Sequence, residues 1–341
     1  MNNYYTYTEI KTQTKAWEEA LSVTVTQAGA LKALTDQYDQ VIFTGCGSTY
    51  YLSLAGAALY QTLTGKTARA VPGGELLLNT SMVLNDHTRY LLIAVSRSGT
   101  TTETVKAVEK FKRELRGDVI VVSNYQTALA AMSNLSIVIP EGQELSVAQT
   151  RSFASMYVAV TALCALAAGR SDLLEAMSTL PAAGLRLMNQ YEGLAREVGE
   201  NLAVDRFYFL GSGLRYGLAC EVNLKMKEMT LTHSEPFHFL EFRHGPMSMA
   251  GETAVIVGLL SDKNFDHEQA VLNEMQAKGA RILALSETRG DIIMASGIPE
   301  EVRSVLYLPV LQLLAFYRSL AKGLNPDNPK NLTAVVTLNF E

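Results

Sequence analysis

Short unbroken apolar runs recur along the chain, each closed by a glycine- or hydroxyl-rich turn and followed by a longer stretch with helical spacing. Residues 40–44 read as a first strand that ends in the turn Gly45-Cys46-Gly47-Ser48-Thr49. The small and apolar residues at 51–64 then suit a close-packed helix. Residues 90–96 form a second run, apolar enough to be buried on both faces, which leads into Arg97-Ser98-Gly99-Thr100-Thr101-Thr102 and a helix over 103–115. Residues 119–123 and 135–140 predict a third and a fourth strand. Strand and helix alternate, as a parallel sheet requires, because parallel neighbours can be joined only by a long crossover.

The pattern then starts again. A loose helical pattern over 12–38 precedes the first run, and a helical stretch rich in Leu, Met and Glu at 171–202 carries the chain into a second half. There, strands are predicted at 206–210, 254–260 and 281–286, and helices at 216–230, 265–278 and 310–320. Both halves open with a strand, a Gly-x-Gly turn and a small-residue helix, which is a degenerate internal repeat. The expected fold class is therefore α/β, with two tandem doubly wound parallel sheets of flavodoxin type. The expected division is an N-terminal helical segment at 1–37, a first domain at 38–170, a helical linker at 171–203, a second domain at 204–320 and a turn-rich tail at 321–341.

Length agrees with that division, since 341 residues exceed what one hydrophobic core usually serves. Apolar residues at 48% and charged residues at 18% describe a chain that folds. A net charge of −5 offers no footprint for a nucleic-acid backbone, so no nucleic-acid partner is expected. Cys46, Cys164 and Cys220 are too widely spaced for a disulfide framework or a CxxC metal cluster, so no metal is expected and a reducing cytoplasm is the simplest location. The start, Met1 to Lys15, lacks the basic and apolar regions of a signal peptide. The apolar stretch 154–168 is shorter than a membrane span and carries Ser155, Tyr157 and Thr161, so it predicts a buried helix and no membrane partner.

In an open parallel sheet, ligands lie beyond the carboxyl ends of the strands, where helix N-termini offer N–H groups to an anion. The loop Ser96-Arg97-Ser98-Gly99-Thr100-Thr101 combines a glycine with hydroxyl donors in front of a predicted helix, which suits either a phosphate cradle or an ordinary Ser/Thr helix cap. The turn Gly45–Thr49 has the same two readings. Neither is a Walker P-loop, and Gly211-Ser212-Gly213-Leu214-Arg215-Tyr216 fails the dinucleotide fingerprint at its last position, so no nucleotide cofactor, and no cofactor of any kind, is expected.

Proton-transfer chemistry points to Lys225-Met226-Lys227-Glu228 and to His244 in Glu241-Phe242-Arg243-His244-Gly245-Pro246. An aldose–ketose isomerase must move a proton between adjacent carbons of an open-chain sugar, which one carboxylate can do, and Glu228 is the candidate. Opening the ring calls for a group that exchanges protons near neutral pH, and His244 is preferred over His233 and His238 because Gly245-Pro246 would fix its backbone. Alone, a Lys/Glu helix face is also what a solvated surface looks like, and a lone histidine is often structural.

At these positions the chain resembles the SIS (sugar isomerase) family, in particular the isomerase part of the glutamine–fructose-6-phosphate aminotransferases. The resemblance runs through Thr8-Glu9-Ile10-Lys11-Thr12-Gln13, Cys46-Gly47-Ser48-Thr49-Tyr50, Ser96 to Thr101, Ser146-Val147-Ala148-Gln149-Thr150-Arg151-Ser152-Phe153, Gly211 to Glu228, Glu241 to Pro246, and Pro309 to Leu332. It implies that Ser48, Thr49, Ser96, Arg97, Ser98 and Thr101 hold the phosphate and sugar hydroxyls, with Val147 and Gln149 lining the same pocket. It further implies Glu228 as base, Lys225 near the reacting carbons, and a homodimer in which His244 reaches the partner's site to assist ring opening.

Three departures shape what is expected. Thr14 stands where the family usually has proline. Met1-Asn2-Asn3 provides no N-terminal cysteine nucleophile, so glutaminase activity is not expected. Ala334 stands where the aminotransferases carry a catalytic lysine, which makes the chain resemble the tagatose-6-phosphate isomerase-like proteins and the fructosamine-6-phosphate deglycases. The expected activity is aldose–ketose isomerisation of a hexose or amino-hexose 6-phosphate. The alternatives are a fructosamine-6-phosphate deglycase or amino-sugar-phosphate deaminase, and, in another class, a sugar-phosphate sensor without turnover. Lys225, Glu228 and His244 favour catalysis, since a sensor needs no base.

Overall fold

A computed structural model describes residues 4–85, 87–333, 335 and 338. The chain forms two compact units. The N-terminal unit takes the described residues of 12–144, 149–178 and 333–338, and the C-terminal unit takes 4–11, 145–148 and 179–332. Each contains one five-stranded, all-parallel sheet, as the alternation of strands and helices requires.

In the N-terminal unit the strands are β1 (Gln40–Gly45), β2 (Thr67–Pro72), β3 (Tyr90–Ser96), β4 (Gly117–Ser123) and β5 (Leu135–Val138), in the order β2-β1-β3-β4-β5. In the C-terminal unit they are β6 (Arg206–Gly211), β7 (His233–Phe237), β8 (Ala254–Leu259), β9 (Arg281–Ser286) and β10 (Ile292–Ile293), in the order β10-β9-β8-β6-β7. Counted from the first strand of each unit, both orders read 2-1-3-4-5, the flavodoxin-like doubly wound arrangement. The internal repeat seen in the sequence is thus a repeat of topology.

The central strands are those whose apolar runs predict them, because both of their faces are covered by helices. All seven residues of β3 and all six of β8 are buried. The three strands the pattern does not predict, β2, β7 and β10, all lie at sheet edges. Thr67–Pro72 is buried only in part and His233–Phe237 is mostly so, which leaves a mixed polar sequence, while Ile292–Ile293 is too short to show a period.

Helices complete each layer. In the N-terminal unit, Val108 and Phe111 of helix Thr102–Arg113 pack on Leu92, Val119 and Val121. On the other side, helix Ser48–Thr64 lies so close to its neighbours that a Cβ on Gly56 would come within 2.8 Å of Val160 Cγ1 and 3.1 Å of the Phe43 ring. Small residues in that helix are therefore a packing requirement. Helix Arg151–Ala167 is buried along most of its length, as its apolar sequence predicts. In the C-terminal unit, Val271, Leu272 and Met275 of helix Phe265–Gln276 pack on Tyr208, Leu210 and Ile256. The helical stretch Glu300–Ala321 is long and apolar enough by composition to cross a membrane, and it lies buried within the fold.

Candidate functional site

Two loops of the N-terminal unit flank the point where the strand order reverses, between β1 and β3. The first leaves β1 at Gly45, where a Cβ would lie 2.6 Å from the Thr49 backbone, so only glycine permits the turn. Gly47 adopts φ 56° and ψ −124° at the cap of helix Ser48–Thr64. The Thr49 hydroxyl closes this loop, accepting the Cys46 N–H at 2.9 Å and donating to the Cys46 carbonyl at 3.0 Å. Ser48 and Thr49 are both buried. Cys46 is a free thiol that burial pushes above its ordinary pKa, and its Sγ lies 3.4 Å from Thr104 Oγ1. It is therefore a neutral wall of the loop at physiological pH.

The second loop follows β3. Ser96 Oγ accepts the Gly99 N–H at 3.1 Å, and Ser98 Oγ accepts the Thr100 N–H at 3.1 Å. The Arg97 carbonyl accepts the Asn124 N–H at 3.2 Å and the Ser123 hydroxyl at 3.1 Å, which ties the loop to the end of β4. Gly99, at φ 63°, accommodates a contact that a Cβ would bring to 2.0 Å from Thr127 Oγ1. Thr101 occupies the N-cap of helix Thr102–Arg113 yet makes no side-chain capping bond. Of the two readings open in the sequence, the ordinary cap therefore does not describe Thr101. Its hydroxyl and the first N–H groups of the helix remain at the sheet's carboxyl end, the place where α/β folds receive anions.

Gln149 belongs to this unit, and its Oε1 is buried with no hydrogen-bond partner among the described residues. Next to it, Glu144 accepts the Thr150 N–H at 2.8 Å and the Thr150 hydroxyl at 2.7 Å, and also the Ser152 hydroxyl, which anchors the start of helix Arg151–Ala167.

In the C-terminal unit, helix Leu214–Thr230 carries Glu221, Lys225 and Glu228 on one face, because i, i+4 and i+7 recur every turn. The Lys225 ammonium is 1% exposed and lies 2.5 Å from Glu228 Oε2 and 3.4 Å from Glu221 Oε1. Glu221 is equally buried, whereas the Glu228 side chain is 21% exposed. One buried ammonium thus sits between an inner carboxylate and an outer one that solvent and ligands can reach. This is not the solvated Lys/Glu face that the sequence alone also allowed.

His244 lies in the turn after the short helix Phe239–Phe242, with its N–H donated to the Glu241 carbonyl at 3.0 Å. Gly245 follows at φ 118°, a backbone conformation that glycine adopts readily. The His244 side chain is exposed. His238 instead stacks on Tyr216 with ring centroids 4.0 Å apart, and burial lowers its pKa.

Val147 is separated from Gln149 by the division of the chain: the segment 145–148 belongs to the C-terminal unit. Its anchor is Glu9, 3% exposed, whose carboxylate accepts the Leu145 N–H at 2.6 Å, the Ser146 N–H at 3.3 Å and the Ser146 hydroxyl. The Val147 N–H donates to the Asp327 carbonyl at 3.0 Å. The Asp327 carboxylate in turn accepts the Tyr5 and Thr6 N–H groups at 2.9 and 2.8 Å. Glu9 and Glu221 were not singled out from the sequence. The i, i+4 spacing to Lys225 could have flagged Glu221, while the partners of Glu9 lie more than a hundred residues away and left no local signal.

Among the described residues no group of three or more His, Cys, Asp and Glu side chains could hold a metal ion. Ala334 lies outside the described residues.

Residues 34–166 and 203–317 match the SIS domain family. The glutamine–fructose-6-phosphate aminotransferase (isomerizing) of Pyrococcus horikoshii is 30% identical over 97% of this chain, which covers 57% of that relative. The chain thus spans little more than half the length of the curated relative. Among solved structures, the glucosamine-6-phosphate deaminase of Thermotoga maritima superposes with a TM-score of 0.79 at 26% identity, covering 94% of this chain and 100% of its own. The tagatose-6-phosphate ketose/aldose isomerase of Escherichia coli superposes with a TM-score of 0.86 over 96% of both chains at 23% identity, a likeness of fold.

Proposed function

The chain belongs to the SIS domain family, and from that premise we propose that it is a phosphosugar isomerase acting on a hexose or amino-hexose 6-phosphate. The observation that carries this reading is the arrangement on helix Leu214–Thr230, where the buried ammonium of Lys225 holds the partly exposed carboxylate of Glu228 at 2.5 Å. A carboxylate anchored on one oxygen and open on the other can take a proton from a carbon beside the sugar carbonyl and return it to the neighbouring carbon. The enediol formed between the two transfers carries the electrons of the broken C–H bond, so no oxidant or reductant is consumed. Lys225, buried behind Glu228, would lie near the reacting carbons and favour negative charge developing there through its field.

The phosphate is assigned to the loops of the N-terminal unit, with Ser48, Thr49, Ser96, Arg97, Ser98 and Thr101 around it. Thr101 supports this because its hydroxyl is not spent on capping its own helix. An unreacting phosphate contributes affinity without taking part in the chemistry. Gln149, whose buried Oε1 has no hydrogen-bond partner among the described residues, would accept a hydrogen bond from a sugar hydroxyl. His244, exposed on the turn before Gly245, is assigned to ring opening from the partner subunit of a homodimer.

A second reading is favoured by the 26% identity to a glucosamine-6-phosphate deaminase over nearly the whole chain. A deaminase or deglycase would use the same proton transfers and then release the amine by hydrolysis. The test is incubation with hexose, amino-hexose and fructosamine 6-phosphates in deuterated water, followed by NMR. Deuterium at the carbon next to the carbonyl without amine release is the result expected. Released amine would replace isomerisation by the second reading, and binding without exchange would leave a sensor.

A further inference from the structure

Because the two sheets share one plan, their loops can be compared position by position. In each unit a six-residue strand ends in Gly-x-Gly, the second glycine lies at positive φ (56° at Gly47, 59° at Gly213), and a helix of 17 residues follows. Across the point where strand order reverses, the adjacent strand leads into a helix of 12 residues, Thr102–Arg113 in one unit and Phe265–Gln276 in the other. By this correspondence Arg215 stands where the N-terminal unit has Thr49, and the loop from Leu260 to Asn264 stands where it has Ser96 to Thr101.

The chemistry at the second position differs. The Ser261 N–H already donates to Glu268 Oε2 at 2.6 Å, and the Asp262 N–H to Glu300 Oε2 at 3.2 Å. Arg215, 5% exposed, donates to Glu268 at 3.3 Å, to Glu300, and to the carbonyl of Leu259 at the end of β8 at 3.1 Å. Two carboxylates held by loop amides and one buried guanidinium present the charge and acceptors that a bound phosphate would present. Glu268 is 3% exposed and Arg215 5%, so the guanidinium is covered while both carboxylates hold their places.

We propose that the carboxyl end of the second sheet is an anion seat which the chain occupies with its own Glu268 and Glu300, leaving external phosphate only the corresponding seat of the N-terminal unit. The part of this proposal that concerns the N-terminal seat rests on the function proposed above. The part that concerns Arg215, Glu268 and Glu300 does not.

The experiment is titration of the full chain with inorganic phosphate, read by calorimetric stoichiometry and by the shift of Tm with phosphate concentration. The unsubstituted protein is expected to take one phosphate per chain and the Glu268→Ala/Glu300→Ala variant two, with a steeper rise of Tm. Adding Arg215→Ala to that pair should return the count to one. Two phosphates in the unsubstituted chain, or a folded double variant that takes no additional one, overturns the proposal. Should the double variant not fold, Glu300→Ala alone vacates the more exposed carboxylate and is expected to admit a weaker second phosphate. Failure of that variant to gain a phosphate also overturns the proposal. A variant that gains a phosphate when the unsubstituted chain binds none would support the filled seat and defeat the functional reading of the first.

Discussion

Lys225 and Glu228 stand one helical turn apart and form an ion pair in which the ammonium is 1% exposed and the carboxylate 21%. The asymmetry assigns different consequences to the two residues. Loss of the outer partner removes a group that meets ligand, and loss of the inner one removes a charge that the fold has buried.

Glu228→Gln keeps an acceptor for Lys225 but cannot take a proton. Turnover is expected to fall by roughly 10²–10⁴-fold, the usual contribution of a positioned general base. Thermal stabilisation by sugar phosphate should be retained, and its loss together with turnover would identify a structural carboxylate instead.

Lys225→Met removes the ammonium 3.4 Å from Glu221, which is buried to the same extent. Removing one partner from a buried pair costs about 3–5 kcal/mol, which denaturant unfolding should register. Adding Glu221→Gln should recover part of that loss, and two fully additive losses would show that the pair is not coupled.

Gly99→Ala combines a left-handed backbone with a Cβ 2.0 Å from Thr127 Oγ1. The strain alone is worth about 1–3 kcal/mol, and relieving it requires the loop to move. Weaker binding of sugar phosphate at a modest drop in Tm is expected. Unchanged affinity would remove this loop from the phosphate site.

Glu9→Gln halves the acceptor capacity that holds the segment 145–148. With one charge-assisted hydrogen bond lost, KM for the sugar phosphate should rise roughly tenfold while kcat stays within a factor of about three. A fall in kcat at constant KM would contradict a positioning role.

Glu192 gives a dependence on pH. Burial raises its carboxyl pKa, but hydrogen bonds from Tyr317 at 2.6 Å, Lys11 at 2.9 Å and Tyr7 at 2.7 Å outweigh burial and hold it below its ordinary value. A lowered acid stabilises the fold above its unfolded pKa of about 4.3, and that stability is lost as pH falls through the folded value. The Tm advantage over Glu192→Gln should therefore be constant from pH 7 to 5 and shrink below pH 4. An advantage that grows in acid would reverse the sign.

The amino-acid sequence by itself determined the central strands, the helices that cover them, the glycine turns at Gly47 and Gly213 and the repeat of one plan, because each follows from local apolar periodicity or from a backbone angle that one residue requires. It also marked Lys225, Glu228 and the loop at Ser96–Thr101 as candidates. Tertiary structure alone decided the edge strands β2, β7 and β10, whose half-covered or brief sequences leave no apolar run. It also decided that Lys225 is buried, that Thr101 does not cap its helix, and that Glu9 holds a segment more than 130 residues away. Burial, hydrogen-bond partners and the occupancy of a seat such as that of Arg215 depend on which distant residues fold against each group, and nearest-neighbour pattern carries no record of that.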